Sequence, residues 1–255
     1  MWRLHRALLA GIWLILAPGS ACSRETITVA AEDDWPPYSS IKADKSGPEG
    51  FSSELVRAVF DLKDIDVKFL TVPFARCLLY ARTGRAVGCF NTSRVAENQD
   101  EFYWHPTPLF SEGLALFVRS DRAYGYQEIK DLEGRSVGVT IGYTYSLDLT
   151  RNPRITLVRA TSDAHQLQML LAGRIEYALL NTMPAYLRIN RDPGLRGRIR
   201  LAGTLAEDAF WLAFSRRHPD GQRLSVLFEE GLQELRASGR YDIMLRNFRK
   251  RVGAD

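Results

Sequence analysis

The chain alternates between short apolar stretches and longer segments that carry an apolar stripe. "TITVAAE" at residues 26–32 alternates apolar and polar positions, which predicts a strand. In residues 51–62 the apolar positions recur at helical spacing. "DVKFLTV" then predicts a strand, "FARCLLYART" a helix that ends at Gly84, and "AVGCF" another strand. Strands that alternate with helices favour an α/β fold with a parallel sheet.

The same order of elements begins again in the second part of the chain. "RSVGVTIG" and "RITLVRA" predict strands, "SDAHQLQMLLAG" predicts a helix that ends at Gly173, and "IEYALL" predicts a strand. Both parts hold an apolar helix, a Gly-Arg pair, a buried strand and then Asn-Thr. Any α/β protein repeats such elements, so two instances do not establish a duplication. They do place polar residues at the carboxyl ends of two strands, where open α/β sheets bind ligands.

The last part of the chain is predicted to be helical. "PDGQRLSVLFEEGLQELRASGRYDIMLRNFRKR" has one apolar stripe, and Gly239 ends the first of two helices. Two further apolar runs, at residues 113–120 and 209–217, lie between the two α/β units and between the second unit and this tail. Two chain crossings between the units predict a double hinge.

The first residues have the pattern of a secretory signal peptide, residues 1–21. Two arginines precede an apolar run at residues 7–17, and small residues at the end of the segment form a cleavage pattern. The run is shorter than the roughly 20 residues of a membrane span, and no later segment is long and apolar enough to span. Cleavage after Ala21 leaves Cys22 at the new N-terminus. Lipid attachment through Cys22 and free export both stay open, since Gly19 stands where a lipoprotein signal has leucine.

The charge of the chain excludes one class of partner. The formal net charge is +4, and removal of residues 1–21 takes away Arg3 and Arg6 and no acid, which leaves +2. No cluster of lysines and arginines is dense enough to bind nucleic acid. With 45% hydrophobic residues, the remaining roughly 234 residues suit one or two domains.

The cysteines and histidines limit the remaining chemistry. Cys77 and Cys89 lie twelve residues apart. In an exported protein such a pair either forms a disulfide or provides two small buried side chains, and both interpretations stay open. The histidines at positions 105, 165 and 218 are scattered and have no metal-ligand spacing. The sequence therefore predicts neither a metal nor a cofactor.

The order of these parts resembles periplasmic solute-binding protein family 3, whose members serve polar amino-acid ABC importers. The resemblance covers nearly the whole chain after the signal peptide, and it rests on "WPPY", "GPEGFSSELVRAVF", "RTGRAVGCFNTSR", "PTPLFSEGLALFVRS", "DLEGRSVGVTIGYT", "LLAGRIEYALLN" and "ASGRYDIMLRNFRK" in this order. It implies an α/β, two-lobe periplasmic binding protein fold, type II-like, with a double-strand hinge and a ligand cleft between the lobes. Lobe 1 is expected at residues 24–112 plus 210–255, and lobe 2 at residues 113–209.

The resemblance also implies ligand-binding positions, residue by residue. The family's aromatic platform falls on Trp35, and the facing aromatic residue falls on Phe74. The turn after "VGV" is expected to begin a helix whose free N–H groups hold an anion. Tyr143 stands in that turn where the family has a small residue, so the pocket is expected to be narrower. The complete expected set is Glu32, Trp35, Phe74, Asn91, Thr92, Arg94, Thr140, Tyr143, Thr144 and Asn181.

Two charged groups with which such proteins bind α-amino acids are absent from their usual places. The arginine for the α-carboxylate falls on Asn98, and the aspartate for the α-ammonium group falls on Asn181. Arg94 lies four residues earlier in the same loop, and its guanidinium can hold a carboxylate bidentately; the alternative is a solvated loop residue. Arg76 is a second candidate. One of the three acids at positions 32–34 is expected to face an amine.

These observations are compatible with functions of three classes. The first is capture of a small polar, carboxylate-bearing, amino-acid-like solute for an ABC permease at the inner membrane, by a monomer that closes its lobes and performs no chemistry. The second is a sensory or partner-binding periplasmic protein on the same fold. The third is a periplasmic dehydratase-like enzyme, but no acid–base pair with distinctive spacing supports it. We expect the first.

Overall fold

The computed structural model describes residues 23–126 and 128–253, so the predicted signal peptide and Cys22 lie outside the described residues. The strands are β1 (Glu25–Glu32), β2 (Asp34–Trp35), β3 (Ser39–Ile41), β4 (Pro48–Glu49), β5 (Ile65–Val72), β6 (Gly88–Ser93), β7 (Phe102–Tyr103), β8 (Phe110–Arg119), β9 (Ser136–Thr140), β10 (Thr156–Ala160), β11 (Tyr177–Asn181) and β12 (Ile199–Ser215). The α-helices are α1 (Phe51–Asp61), α2 (Phe74–Thr83), α3 (Leu147–Thr150), α4 (Asp163–Leu171), α5 (Thr182–Arg191), α6 (Gly221–Ala237) and α7 (Arg240–Val252), and a 3-10 helix covers Ile129–Leu132.

Most strands belong to one mixed sheet, and not to the parallel sheet that the sequence predicts. Its order is β10-β9-β11-β8-β12-β6-β1-β5, with β7 beside β12. The pairs β1–β5, β1–β6, β9–β10 and β9–β11 are parallel as expected. The long strands β8 and β12 run antiparallel to their neighbours. These two strands contain the apolar runs that were predicted as chain crossings. Because they run antiparallel to their neighbours, the sheet is mixed.

Helices cover both faces of the sheet on either side of β8 and β12. One side, which we call the first half, contains β1, β5 and β6 with α1, α2, α6 and α7. The other side, the second half, contains β9, β10 and β11 with α4 and α5. Each half has its own buried apolar clusters, with large residues such as Phe51 and Phe228 in the first and Leu167 and Leu180 in the second. The predicted ends of α2 and α4 are confirmed by the left-handed backbone of Gly84 (φ 77°) and Gly173 (φ 69°).

Glu112, at the start of β8, joins three parts of the chain. Its carboxylate accepts a hydrogen bond from the hydroxyl of Tyr38, a residue that follows β2 in the first half. It also accepts one from the backbone N–H of Met183 in α5 at 2.8 Å. Because Glu112 is buried, these two donors provide hydrogen bonds that water cannot reach.

Within residues 23–126 and 128–253, no helix is both long and apolar enough to cross a membrane.

Cys77 and Cys89 form a disulfide that joins α2 to β6, with an S–S distance of 2.03 Å and a Cα–Cα distance of 5.5 Å. Both residues are fully buried in the apolar layer beneath α2, together with Leu78 and Ala81. The disulfide fixes α2 against β6, the strand that contains Asn91 and ends at Ser93. It therefore couples the position of Phe74, at the start of α2, to the end of β6.

We expect reduction of this disulfide to lower the thermal stability of the protein. Closing a loop of this size stabilises a protein by about 3 kcal/mol, which corresponds to a melting temperature shift of about 6–12 °C for a chain of this length. Differential scanning calorimetry with and without dithiothreitol measures the shift. The double variant Cys77→Ala, Cys89→Ala is the matched control, because its melting temperature should not respond to dithiothreitol. A wild-type melting temperature that is equally insensitive would show that the two cysteines are not paired.

Candidate functional site

A cavity lies at the edge of the sheet where the carboxyl ends of β1, β6 and β11 meet the turn after β9. Its volume is about 30 Å³ when only the space that admits the centre of a water molecule is counted, so it is narrow, and we call it the inner cavity. Both halves of the molecule and both long strands contribute to its walls. The lining residues are Glu32, Trp35, Phe74, Asn91, Ser93, Leu114, Tyr143, Thr144, Tyr145, Leu179, Asn181, Asp208 and Phe210.

Aromatic side chains form the floor of the inner cavity. Trp35 is only 2% exposed, and its ring centroid lies 4.9 Å from those of Tyr38 and Phe210. Tyr38 stacks on Phe110 in turn, at 4.3 Å and with nearly parallel rings. Trp35 is therefore both a core residue and a cavity wall, because one end of its large ring packs in the apolar cluster. A floor of this kind offers flat apolar faces to a ligand.

Tyr143 closes one side of the inner cavity by contacts with the opposite half. Its hydroxyl donates a hydrogen bond to Oε1 of Glu32 at 3.0 Å. Its ring meets Phe74 edge to face, with 5.4 Å between the centroids. These two contacts tie the turn after β9 to the ends of β1 and α2. A tyrosine at this position was expected to narrow the pocket. In the structure, the Tyr143 side chain forms a wall across the cleft.

Glu32 lies at the end of β1 and is 4% exposed. Burial raises its pKa well above the usual range, and the nearby carboxylate of Asp163 raises that pKa further, whereas the Tyr143 hydrogen bond lowers it. Asp208, on β12, is a second carboxylate in the wall, and burial raises its pKa as well. The inner cavity therefore holds two acidic groups whose charged forms are disfavoured as long as nothing positive accompanies them.

Two buried N–H donors of lining residues lack a protein partner. Nε1 of Trp35 and Nδ2 of Asn91 make no hydrogen bond within the described part of the chain. The Asn91 side chain is held in place by its Oδ1, which accepts a hydrogen bond from Ser52 at 2.5 Å. Its backbone adopts φ 60°, a left-handed conformation that asparagine tolerates better than most residues. Both N–H groups are available to an acceptor on a ligand.

A second cavity, which we call the side cavity, adjoins the inner one and shares Glu32, Phe74 and Tyr143 with it. Its volume, counted in the same way, is about 340 Å³, and its other lining residues are Asp33, Asp34, Pro73, Ala75, Thr140, Ile141, Thr161, Ser162 and Asp163. Tyr143 is thus the partition between the two cavities.

Asp163, the first residue of α4, is a buried acid in the wall of the side cavity. Its Oδ1 accepts a hydrogen bond from the Thr140 hydroxyl at 2.7 Å. Its Oδ2 has no partner among the described residues. Burial raises the pKa of Asp163 to about 6, against the effects of the Thr140 hydrogen bond and of Arg188, which lower it.

Arg188 links the two halves next to the side cavity. Its Nη2 lies 2.7 Å from Oδ1 of Asp34 and 2.9 Å from the backbone oxygen of the same residue. The arginine belongs to α5 and the aspartate to β2. The Arg188 side chain is 15% exposed and the Asp34 side chain 50%, so solvent screens part of this ion pair.

The structure brings most of the expected ligand-binding residues together. The inner cavity is lined by Glu32, Trp35, Phe74, Asn91, Tyr143, Thr144 and Asn181. Thr140 lines the side cavity instead, because its hydroxyl turns toward Asp163. Asn181 ends β11 as predicted, and its Nδ2 lies 3.5 Å from the backbone oxygen of Gly113.

Thr92 and Arg94 line neither cavity. Successive residues of a strand point to opposite faces, so Asn91 and Ser93 face the inner cavity, and Thr92 turns away and donates to the Cys89 backbone oxygen at 3.1 Å. Arg94 follows the end of β6 and is exposed. This placement matches the solvated-loop alternative and not the carboxylate-binding one. Arg76 is exposed as well.

Asn98, at the position of the family's arginine, closes its own loop. Its Oδ1 accepts a hydrogen bond from the backbone N–H of Val95 at 2.9 Å, and its Nδ2 donates to the backbone oxygen of Ser93 at 2.9 Å. The expected anion site at the helix after β9 is also not formed as predicted. That helix, α3, covers only Leu147–Thr150 and begins after Ser146, beyond the turn that lines the cavity.

Six polar lining residues were missed: Ser93, Tyr145, Thr161, Ser162, Asp163 and Asp208. Ser93 follows from strand alternation once Asn91 is placed. Asp208 stands in "AEDAF", and an acid inside an apolar hinge strand is the signal that indicates it. Tyr145 and Asp163 reach the site through the turn after β9 and the start of α4. Across residues 23–126 and 128–253, no three His, Cys, Asp or Glu residues are grouped so as to hold a metal ion.

The fold has a counterpart of known structure that spans nearly the same length. A histidine kinase sensor domain with similarity to periplasmic binding proteins superposes with a TM-score of 0.78, is 26% identical, and is matched over 88% of this chain and 96% of that one. The α/β architecture is accordingly the two-lobe fold of periplasmic binding proteins.

Two proteins of Escherichia coli (strain K12) are similar in sequence. One, provisionally named ABC transporter arginine-binding protein 2, is 28% identical over 174 residues, which are 68% of this chain and 68% of that protein. The other, L-cystine-binding protein TcyJ, is 24% identical over 163 residues, which are 64% of this chain and 61% of that protein. Both are named as binding proteins and not as enzymes.

The family model for bacterial extracellular solute-binding proteins, family 3, matches residues 27–250, nearly the whole described chain. This match agrees with the two-lobe fold, with the cavity between the halves and with the relatives. The chain therefore belongs to family 3 of the bacterial extracellular solute-binding proteins, and its role is to bind a solute and not to catalyse a reaction.

Proposed function

We propose that this protein captures a small polar, amino-acid-like solute in the inner cavity and delivers it to an ABC permease at the inner membrane. Residues 1–21 direct export, and Cys22 is either the free N-terminus or a lipid anchor. The protein works as a monomer with lobe 1 at residues 24–112 plus 210–255 and lobe 2 at residues 113–209. Closure of the two lobes holds the solute.

The observation that carries this proposal is that both halves supply the walls of the inner cavity. Glu32, Trp35 and Phe74 come from one side, and Tyr143 and Asn181 come from the other. A solute that touches both sides binds the closed arrangement better than the open one, so it shifts the population toward closure. The closed form then presents a single surface to the permease.

The lining residues suit a solute with both a positive charge and a hydrogen-bond acceptor. Glu32 and Asp208 supply acids. The unpartnered Trp35 Nε1 and Asn91 Nδ2 supply N–H groups for an acceptor such as a carboxylate or a carbonyl. The relatives named for arginine and L-cystine support an amino-acid-like solute. Arg94 is not needed in this account, because its exposed side chain lies outside the cavity.

A second candidate function is solute sensing without import. The similarity to a histidine kinase sensor domain supports it. The two functions differ in what a cell loses when the gene is deleted. Loss of uptake of the radiolabelled solute supports import, whereas unchanged uptake together with a lost transcriptional response supports sensing.

The first prediction is that a thermal-shift screen of the exported protein finds a specific solute. The screen covers amino acids, small di-acids, polyamines and aromatic acids. A solute at about 1,000 times its Kd stabilises the native state by about 4 kcal/mol, which raises the melting temperature by about 8–16 °C for a protein of this size. Absence of any shift across all four classes would contradict the proposed function.

A further prediction concerns Phe74, whose ring faces Tyr143 across the cleft. Phe74→Ala should weaken binding of the solute that gives the largest shift by roughly 2- to 12-fold, because a lost aromatic contact costs about 0.5–1.5 kcal/mol. Isothermal titration calorimetry measures the affinity. Leu79→Ala, at a 51% exposed position of the same helix, is the control and should leave the affinity unchanged. Equal affinities for the two variants would place the solute elsewhere.

A further inference from the structure

Carboxylates from separate elements converge on the two cavities. Glu32 from β1 faces both, Asp208 from β12 faces the inner cavity, and Asp163 from α4 faces the side cavity. Among the described residues, neither an arginine nor a lysine lines either cavity. The cleft therefore presents buried negative groups without positive groups in its walls.

The cations near these acids are held by other residues or exposed, with one exception. Arg188 binds Asp34 through the 2.7 Å ion pair, but its Nε is buried without a hydrogen-bond partner among the described residues, and its charge lowers the pKa of Asp163. Arg76 is exposed and lies outside both cavities. Arg82 and Arg159 line a third cavity, which shares Tyr143 with the inner and the side cavity, and Arg82 binds Glu101 at 2.7 Å.

Asp163 supplies an independent observation that points to a hydrogen-bond donor on a ligand. The residue is 2% exposed, and its Oδ2 has no partner among the described residues. A buried carboxylate oxygen without a hydrogen bond is costly, and native proteins rarely leave one unsatisfied. An N–H group of a ligand in the side cavity would satisfy it.

The raised pKa values of the carboxyl groups agree with a ligand that donates hydrogen bonds to them. Burial raises the pKa of Glu32, of Asp163 and of Asp208. Burial therefore disfavours the ionised form of each of these acids when no cation accompanies it. An organic cation in the cleft would favour the ionised acids and form charge-assisted hydrogen bonds with them.

We infer that the solute is an organic cation held by Glu32, Asp208 and Asp163, and that its positive charge, and not an α-carboxylate, determines its affinity. This inference rests on the proposed solute-binding function and narrows it. The Tyr143 hydroxyl donates a hydrogen bond to Glu32. An N–H group of the solute takes the place of this hydroxyl when the solute binds. Displacement of Tyr143 by the solute joins the inner cavity to the side cavity and gives access to Asp163.

Three probes of nearly equal length separate charge recognition from carboxylate recognition. They are L-arginine, L-citrulline, in which a neutral urea group replaces the guanidinium, and agmatine, which is arginine without its carboxylate. Calorimetric titration of the wild-type protein should give agmatine and arginine affinities within about tenfold of each other. Citrulline should bind at least about tenfold more weakly than arginine, the loss expected for one charge-assisted hydrogen bond.

Several results overturn the inference and leave the proposed function intact. These are equal binding of citrulline and arginine, binding of agmatine more than about tenfold weaker than that of arginine, or binding of neutral or anionic solutes alone in the thermal-shift screen. If no solute of any class binds, the proposed function and the inference both fail.

Variants of β12 test the role of Asp208. Asp208→Asn should weaken agmatine binding at least about tenfold, whereas Glu207→Gln, an exposed acid of the same strand, should leave it unchanged. Burial raises the Asp208 pKa, so removal of this charge should not lower the melting temperature of the ligand-free protein at pH 7. This separates loss of a ligand contact from loss of folding. Equal agmatine affinities for the two variants contradict the assignment of Asp208.

The pH dependence provides a second readout. Glu32 is faced by the Tyr143 hydroxyl and by Asp163, Asp34 and Asp33, and Asp163 is faced by the Thr140 hydroxyl, Arg188 and Asp34. Agmatine keeps its charges through this range, whereas the raised acids must release protons to bind it. Its affinity should therefore rise from pH 5 to pH 7.5, with proton release visible as a buffer-dependent enthalpy. An affinity that is constant or falls over this range contradicts the inference.

Discussion

Burial of the Glu32 carboxylate at the end of β1 is the constraint on which the cleft depends. Moving a carboxylate out of water costs several kcal/mol unless a proton, a cation or several hydrogen bonds accompany it. In this protein the hydroxyl of Tyr143, from the opposite half, provides one hydrogen bond. Closure of the halves and the charge state of the cleft are therefore coupled. A solute that brings positive charge stabilises the closed arrangement, because burial without a cation disfavours the ionised acids.

The rest of the fold positions this acid and its partners. β8 and β12 run through both halves as one antiparallel pair, so they carry Leu114, Asp208 and Phe210 into the cavity wall. The parallel strands on either side end at the same edge of the sheet and deliver Glu32, Asn91 and Asn181 there. The disulfide fixes α2 to β6, and the aromatic cluster beneath Trp35 keeps the floor rigid. The turn that holds Tyr143 and the Arg188–Asp34 ion pair cross the cleft beside the two cavities, so opening of the cleft must break these contacts.

Strand and helix periodicity predicted the α/β elements, whereas the two-lobe fold and the cavity positions of Trp35, Glu32 and Asn181 were implied by the resemblance to family 3. Thr92 and Arg94 lie outside both cavities, because Thr92 points to the opposite face from Asn91 and Arg94 follows the end of β6. Asp208 and Asp163 were missed because their approach depends on sheet order and on helix packing, neither of which a linear pattern contains. For the same reason, the charge of the solute could not be inferred from the sequence alone, in which Asn98 and Asn181 replace the family's arginine and aspartate.

The most direct test of the account is a crystal structure of the exported protein grown with agmatine. The account predicts the solute between the two halves, with one of its nitrogen atoms within hydrogen-bond distance of the Glu32 carboxylate and the Tyr143 hydroxyl displaced from it. A solute bound outside the two cavities, or a Tyr143–Glu32 hydrogen bond that stays intact beside the solute, would contradict it.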